Sequence, residues 1–172
     1  MRSIRLIFAV LLATAAGAGS VAAQATAAPA ATPAQAEQEV KVVVERLFNG
    51  MRAGDSAAVH AVFHPQARLQ TTALRQGEPV LRTDSIESFL RAVGTPHTEV
   101  WDERVSNLEI RTDGELATAW MDYAFYLDGR FSHCGVNALQ FFRTKDRGWQ
   151  IIQIIDTRRR ECPRIPGARR AP

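Results

Sequence analysis

Two Asp-Gly pairs, Asp113-Gly114 and Asp128-Gly129, sit between alternating apolar and polar runs, and they constrain this chain more than anything else in it. Such a pair tolerates the positive φ that a two-residue hairpin needs, so each marks a reversal between adjacent antiparallel strands. A longer connection over residues 144–148 adds a third reversal. Residues 100–160 therefore read as a four-stranded meander, and tight turns fix its register. Centring the first turn pairs Thr112 with Glu115 and sets Arg104 opposite Tyr123. The second pairs Leu127 with Arg130 and sets Tyr123 opposite Cys134; pairing Arg143 with Trp149 then sets Cys134 opposite Arg158.

This register gives the sheet two unlike faces. The expected inner face carries Leu108, Ile110, Ala117, Ala119, Met121, Phe125, Val136, Ala138, Phe142, Ile152 and Ile154, an apolar set that needs cover. One end of it is polar, where Asp102, Arg104, Tyr123, Ser132, Cys134, Asp156 and Arg158 converge. Glu103, Asn107, Glu109, Asp122, His133 and Gln153 fall on the expected outer face, beside Trp120, Tyr126, Asn137, Leu139, Phe141, Trp149, Ile151 and Ile155. So much apolar area on an outer face predicts burial against a partner, and a second copy of the chain is the simplest one.

Upstream, residues 1–23 place Arg2 and Arg5 before an apolar run and end in Val21-Ala22-Ala23, the pattern of a signal peptide cleaved after Ala23 or Ala25. A periplasmic or secreted location follows, with no stable membrane insertion after cleavage, because no later segment approaches the length of a spanning helix. Residues 24–34 form an Ala, Pro and Thr linker. Residues 35–162 make one domain, and residues 163–172 a basic disordered tail. The formal net charge of +3 includes +2 from the signal peptide and +5 from residues 157–172, so the body carries −4. The basic balance belongs to the tail, and nucleic acid is not an expected partner.

The pattern over residues 35–49 puts Val40, Val43, Val44, Leu47 and Phe48 on one helical face. Asp55 caps a second helix that Pro65 ends; a short strand spans residues 67–74; a third helix starts near Asp84, with Glu87 at the capping-box position, and stops at Gly94. Segregated helices and an antiparallel sheet make an α+β fold, a cone-shaped curved sheet of about four long strands plus a short one under three N-terminal helices.

Leu116-Ala117 leading to Trp120, the segment from Tyr123 to Tyr126, Ser132-His133-Cys134-Gly135, Gly148-Trp149, Asp156-Thr157-Arg158-Arg159 and Phe63-His64-Pro65 carry a family resemblance. Over residues 35–162 the chain resembles the nuclear transport factor two-like superfamily, which includes ketosteroid isomerase, scytalone dehydratase and polyketide cyclases. Within it, the chain is similar to the bacterial group labelled putative lumazine-binding. The resemblance implies a cone around a small-molecule pocket. Ketosteroid isomerase chemistry needs a tyrosine that the first helix here lacks. Scytalone dehydratase uses tyrosines with a histidine and an aspartate; Tyr123, Asp156, His133 and Asp122 are of those types, but the expected register divides them between two faces.

Arg104, Tyr123, Cys134, Asp156 and Arg158 are the expected ligand-binding set, since two guanidiniums near a phenol and a carboxylate can hold an anion; the alternative is an internal ion pair of Asp156 with either arginine. Asp156 as base with Tyr123 as acid, or His133 with Asp122, are the candidate catalytic groups. Cys134 and Cys162 are the only cysteines and are expected to form a disulfide, provided the chain after the last strand curls back. His60 and His64 lack a third ligand nearby, so no metal is expected, and no motif calls for a cofactor. Three functions remain open: an exported small-molecule-binding protein with an anionic ligand, a lyase or isomerase in the same pocket, and an envelope interaction module using the Arg-rich tail.

Overall fold

The computed structural model describes residues 31–162. The expected signal peptide, the linker up to residue 30 and the basic tail lie outside them.

Helix α1 spans Pro33–Ala53. Thr32 and Gln35 cap it reciprocally, Pro33 occupies the first turn where no amide partner is needed, and Gly54 ends it in the left-handed conformation. Its buried stripe contains all five residues predicted from the sequence and adds Met51. Asp55 caps α2 (Ser56–Val62) by accepting from the Ala58 amide. Strands β1 (Phe63–Arg75) and β2 (Glu78–Asp84) form a hairpin across Gln76 and Gly77, both at positive φ. Helix α3 (Ile86–Gly94) is capped by Ser85 through the Ser88 amide, one residue later than the Asp84 cap expected with Glu87. The meander follows as β3 (Trp101–Asp113), β4 (Leu116–Leu127), β5 (Arg130–Thr144) and β6 (Gly148–Thr157).

The fold is α+β as expected, with three helices against a curved, open sheet. The sheet differs in composition from the expected one. It has six strands in the order β2-β1-β6-β5-β4-β3, and β1 runs parallel to β6 while every other pair is antiparallel. The expected short strand is the long β1, and Pro79 disguised β2, which tolerates it as an edge strand. Gln150 Nε2 donates to the Phe63 carbonyl at 2.9 Å and ties the parallel pair where it begins.

Three irregularities reverse faces that the turns alone would assign. The second and third reversals pair Leu127 with Arg130 and Arg143 with Trp149, as expected; the first pairs Asp113 with Leu116, moving the turn to Gly114-Glu115. In β3 the register then shifts at Asn107, whose φ is +52, so Val105 rather than Arg104 lies opposite Tyr123. In β5 it shifts at Ser132, so Tyr123 faces Gly135 rather than Cys134. In β6 it shifts at Ile152, so Cys134 pairs with Arg159 rather than Arg158. Each extra residue turns the strand beyond it over. The expected inner set holds throughout β4 and for Leu108, Ile110, Ile154, Asp156 and Arg158, whereas Asn137, Leu139 and Phe141 replace Val136, Ala138 and Phe142 on β5.

The core lies between this face and α1, which is held at both ends. Glu39 accepts from Trp149 Nε1 at 3.1 Å and pairs with Arg143, while Arg52 pairs with Asp102 at 2.7 Å on β3. Behind the sheet, Cys134 and Cys162 form the expected disulfide, packed against Ala124, Tyr126 and Phe131. The chain after β6 first continues along β5, through backbone bonds between Cys134 and Arg159 of 2.9 Å in each direction, and then bends at Arg160, the expected curl that brings Cys162 back to Cys134. Closing a 28-residue separation removes denatured-state entropy. Cys162→Ser should therefore lower the unfolding free energy by about 2–4 kcal/mol, measured by urea denaturation of the oxidised parent and the variant.

Candidate functional site

The inner face and the helices enclose a cavity of about 540 Å³. Its walls are mainly apolar, with Leu47, Phe48 and Met51 from α1, Phe89 from α3, and Trp101, Phe125, Leu139 and Ile154 from the sheet, beside the Arg82–Asp84 pair of β2. Its polar end is built by four strands that place Glu103, Tyr123, His133, Asn137, Asp156 and Arg158 together.

Asp156 organises that end. It is 8% exposed, and its carboxylate accepts from Thr71 Oγ1 at 2.5 Å, Tyr123 OH at 3.1 Å and Arg158 Nε at 2.9 Å. These donors come from β1, β4 and the continuation of β6, so the buried charge is met from both sides of its own strand. Tyr123 OH also lies 2.9 Å from the Thr157 carbonyl. Burial, then the charges of Asp156 and Glu103, raises the Tyr123 phenol far above its ordinary range, which keeps it a hydrogen-bond donor. Burial pulls the Arg158 guanidinium down, but the charge and hydrogen bond of Asp156 outweigh it and leave it raised. Only Nε of Arg158 is engaged; its terminal nitrogens have no protein partner among the described residues, and the side chain is 47% exposed.

Glu103 is half-buried as a residue, but its carboxylate lines the cavity and accepts from Asn137 Nδ2 at 2.6 Å. Burial pushes this carboxyl up to about 7; the Asn137 bond opposes the shift and the Asp156 charge reinforces it. His133 stacks at a tilt on Phe125 and edge-on to Tyr123, with Nδ1 3.1 Å from Ser132 Oγ. Burial and then the Arg158 charge lower it to about 4, so the imidazole is neutral at physiological pH.

Of the expected ligand-binding set, the structure brings together Tyr123, Asp156 and Arg158. Arg104 is turned away by the Asn107 bulge, stacks on the Tyr126 ring at 4.3 Å and pairs with Asp102 at 2.7 Å. Cys134 points behind the sheet and is consumed by the disulfide. His133, expected outside, lies in the cavity, while Asp122 stays on the other face bonded to Asn107, so the expected His133–Asp122 pair does not form. Asp156 bonds to Arg158 as the ion-pair alternative foresaw, and the terminal nitrogens nevertheless stay open. Glu103 and Asn137 were missed. Asn107 inside β3 was the available signal, since asparagine accepts positive φ; Gly135 was another, because a strand glycine marks a bulge or a close approach.

Glu103 and His133 give opposite pH signatures. A raised carboxyl contributes stability that is complete below about 4.5 and lost as the pH rises to about 7; a lowered imidazole contributes stability present above about 6.5 and lost as the pH falls to about 4. Relative to the parent, Glu103→Gln should therefore gain stability as the pH rises through the first window. His133→Phe should gain it as the pH falls through the second. Urea denaturation across both windows checks this, and parallel parent and variant curves would contradict it.

Comparison with known proteins places this geometry in a family. The family model described as putative lumazine-binding matches residues 35–153. A nuclear transport factor 2-like superfamily protein from Salmonella enterica is similar in structure, with a TM-score of 0.59, 14% identity, and coverage of 78% of this chain and 98% of that one. A protein of unknown function from Mycobacterium tuberculosis gives 0.58 at 12% identity, covering 72% of each chain. A protein from Streptomyces avermitilis, described as a putative dehydratase of the NTF2-like family, gives 0.55 at 14%, covering 74% of this chain and 99% of that one. At such identities the structural likeness shows the fold alone. No curated protein matches the chain. Its fold is that of nuclear transport factor 2-like proteins, and with its matched residues spanning α1 to β6 the chain belongs to the putative lumazine-binding family.

Proposed function

We propose that this chain is an exported small-molecule-binding protein whose cavity takes a ligand with an apolar body and an anionic group docked on Arg158. The observation that carries this reading is the open guanidinium edge at the polar end of a 540 Å³ cavity whose lining is mainly apolar. That volume suits a small organic molecule, and Asp156 holds Nε so that the remaining nitrogens keep a fixed direction. Export is supported by the N-terminal sequence pattern and by the disulfide, and no helix among the described residues is long and apolar enough to cross a membrane.

A second reading, a lyase or isomerase in the same cavity, is favoured by Glu103. A carboxyl at about 7 can both take and give a proton near neutrality, which Asp156, already accepting three hydrogen bonds, is poorly placed to do. Glu103 replaces Asp156 as the proposed base, and Tyr123 remains the proposed donor. The envelope-interaction reading rests on the basic tail, outside the described residues.

Homodimerisation through the outer face is also proposed, on a smaller patch than the sequence predicted, since Asn137, Leu139, Phe141, Trp149 and Ile151 are buried on the other side. Trp120, Leu116 and Phe142 remain exposed.

Native mass spectrometry of the mature protein from a periplasm should show an added mass that denaturation removes. Arg158→Ala should weaken that ligand about ten- to hundredfold, the worth of one charge-assisted pair; unchanged affinity would rule out the docking role. Sedimentation at micromolar concentration should give the dimer mass, and a monomer profile would end the interface proposal.

A further inference from the structure

Building on the binding reading, we propose that the cavity selects singly charged organic acids over doubly charged ones such as phosphate monoesters, and that the ligand enters together with one proton, which Glu103 holds. The argument begins with charge. Arg158 is the cation of the polar end, and Asp156 already spends part of its field through the 2.9 Å bond. Glu103 stands in the same cavity, close enough for the charges of Asp156 and Arg158 to act on its carboxyl. Two carboxyl groups thus share one guanidinium, and an arriving anion is a third claimant.

Nothing else at that end supplies positive charge. From β5 come Asn137, which is uncharged, and His133, which stays neutral. From β4 comes Tyr123, which donates without ionising. The cavity-lining residues of α1 and α3 include no titratable group, and the remaining lining cation, Arg82 on β2, is paired with Asp84 at 3.0 Å. A dianion would therefore meet more negative than positive charge in a partly desolvated space, where like charges repel more strongly than in water. A monoanion fits once Glu103 is neutral. The protonated carboxyl keeps its bond from Asn137 and gains a hydrogen to donate, so the proton removes a repulsion and adds a donor.

Linkage then fixes the pH behaviour. The ligand prefers the form with Glu103 protonated, so by reciprocity binding draws in a proton wherever free Glu103 is ionised, and affinity falls as the pH rises above about 7.

Calorimetric titration of the mature chain with naphthoate, naphthyl phosphate and naphthol tests this, because the three share one apolar body and differ in charge. Buffers of different ionisation enthalpy report proton uptake directly. At about pH 8 naphthoate should bind at least about tenfold tighter than naphthyl phosphate, take up close to one proton, and bind about tenfold more weakly than at about pH 6. Glu103→Gln should abolish the uptake and hold the affinity level across this range. Equal affinity for the two acids overturns the proposal, as does uptake that persists in Glu103→Gln. Uptake lost in His133→Phe instead assigns the proton to the imidazole and also overturns it. The underlying binding reading fails separately: neither acid binds at millimolar concentration, or Arg158→Met binds naphthoate as tightly as the parent, or naphthol binds as well as naphthoate.

Discussion

A carboxylate removed from water has to be met by donors, and the placement of Asp156 shows how many parts of this molecule are bound by that requirement. Thr71 reaches it from β1, Tyr123 from two strands away on β4, and Arg158 from its own strand. The parallel join between β1 and β6 is thereby locked at the end that carries the cavity's polar groups. The same bonds orient Tyr123 and Arg158, two of the groups that line the cavity. Structural roles and the proposed binding role coincide here, so loss of one donor exposes a buried charge as well as disturbing the candidate site.

Around that hub, burial disfavours the charged forms of two of the cavity's ionisable groups. Glu103 and His133 are shifted in opposite directions by the same cause, burial, because desolvation penalises whichever form is charged. The polar end consequently carries more hydrogen-bonding capacity than net charge. The exterior pair of Asp102 with Arg52 and Arg104 behaves differently: burial opposes ionisation of Asp102, but hydrogen bonds from Arg104 and Arg52 hold its carboxyl below the ordinary range.

How much of this could be read from the sequence depended on parity. Turn chemistry located the four meander strands, and apolar spacing located α1 and its buried stripe, because both signals are local. The site depends on counting in twos across strands of 12 or more residues, where one extra residue inverts everything beyond it. Tyr123 sits on β4, which has no bulge of its own, and was placed correctly; Arg104, Cys134, His133 and Glu103 lie beyond Asn107 or Ser132 and were all assigned to the wrong side. Arg158 falls on the expected face because the irregularities at Ser132 and Ile152 invert it twice and so cancel. The parallel partner of β6 was not legible either, since it joins segments more than 80 residues apart with no turn between them.

That parallel join has a consequence for how the molecule is made. β6, the last strand among the described residues, lies between β1 and β5 rather than at an edge of the sheet. Until residue 157 is available, β1 and β2 have no place in the sheet, and Phe63 and Gln150, which touch across the join, remain apart. Such long-range closure is slow by nature. The sheet can therefore be completed only as a late event, after every other described strand has been made.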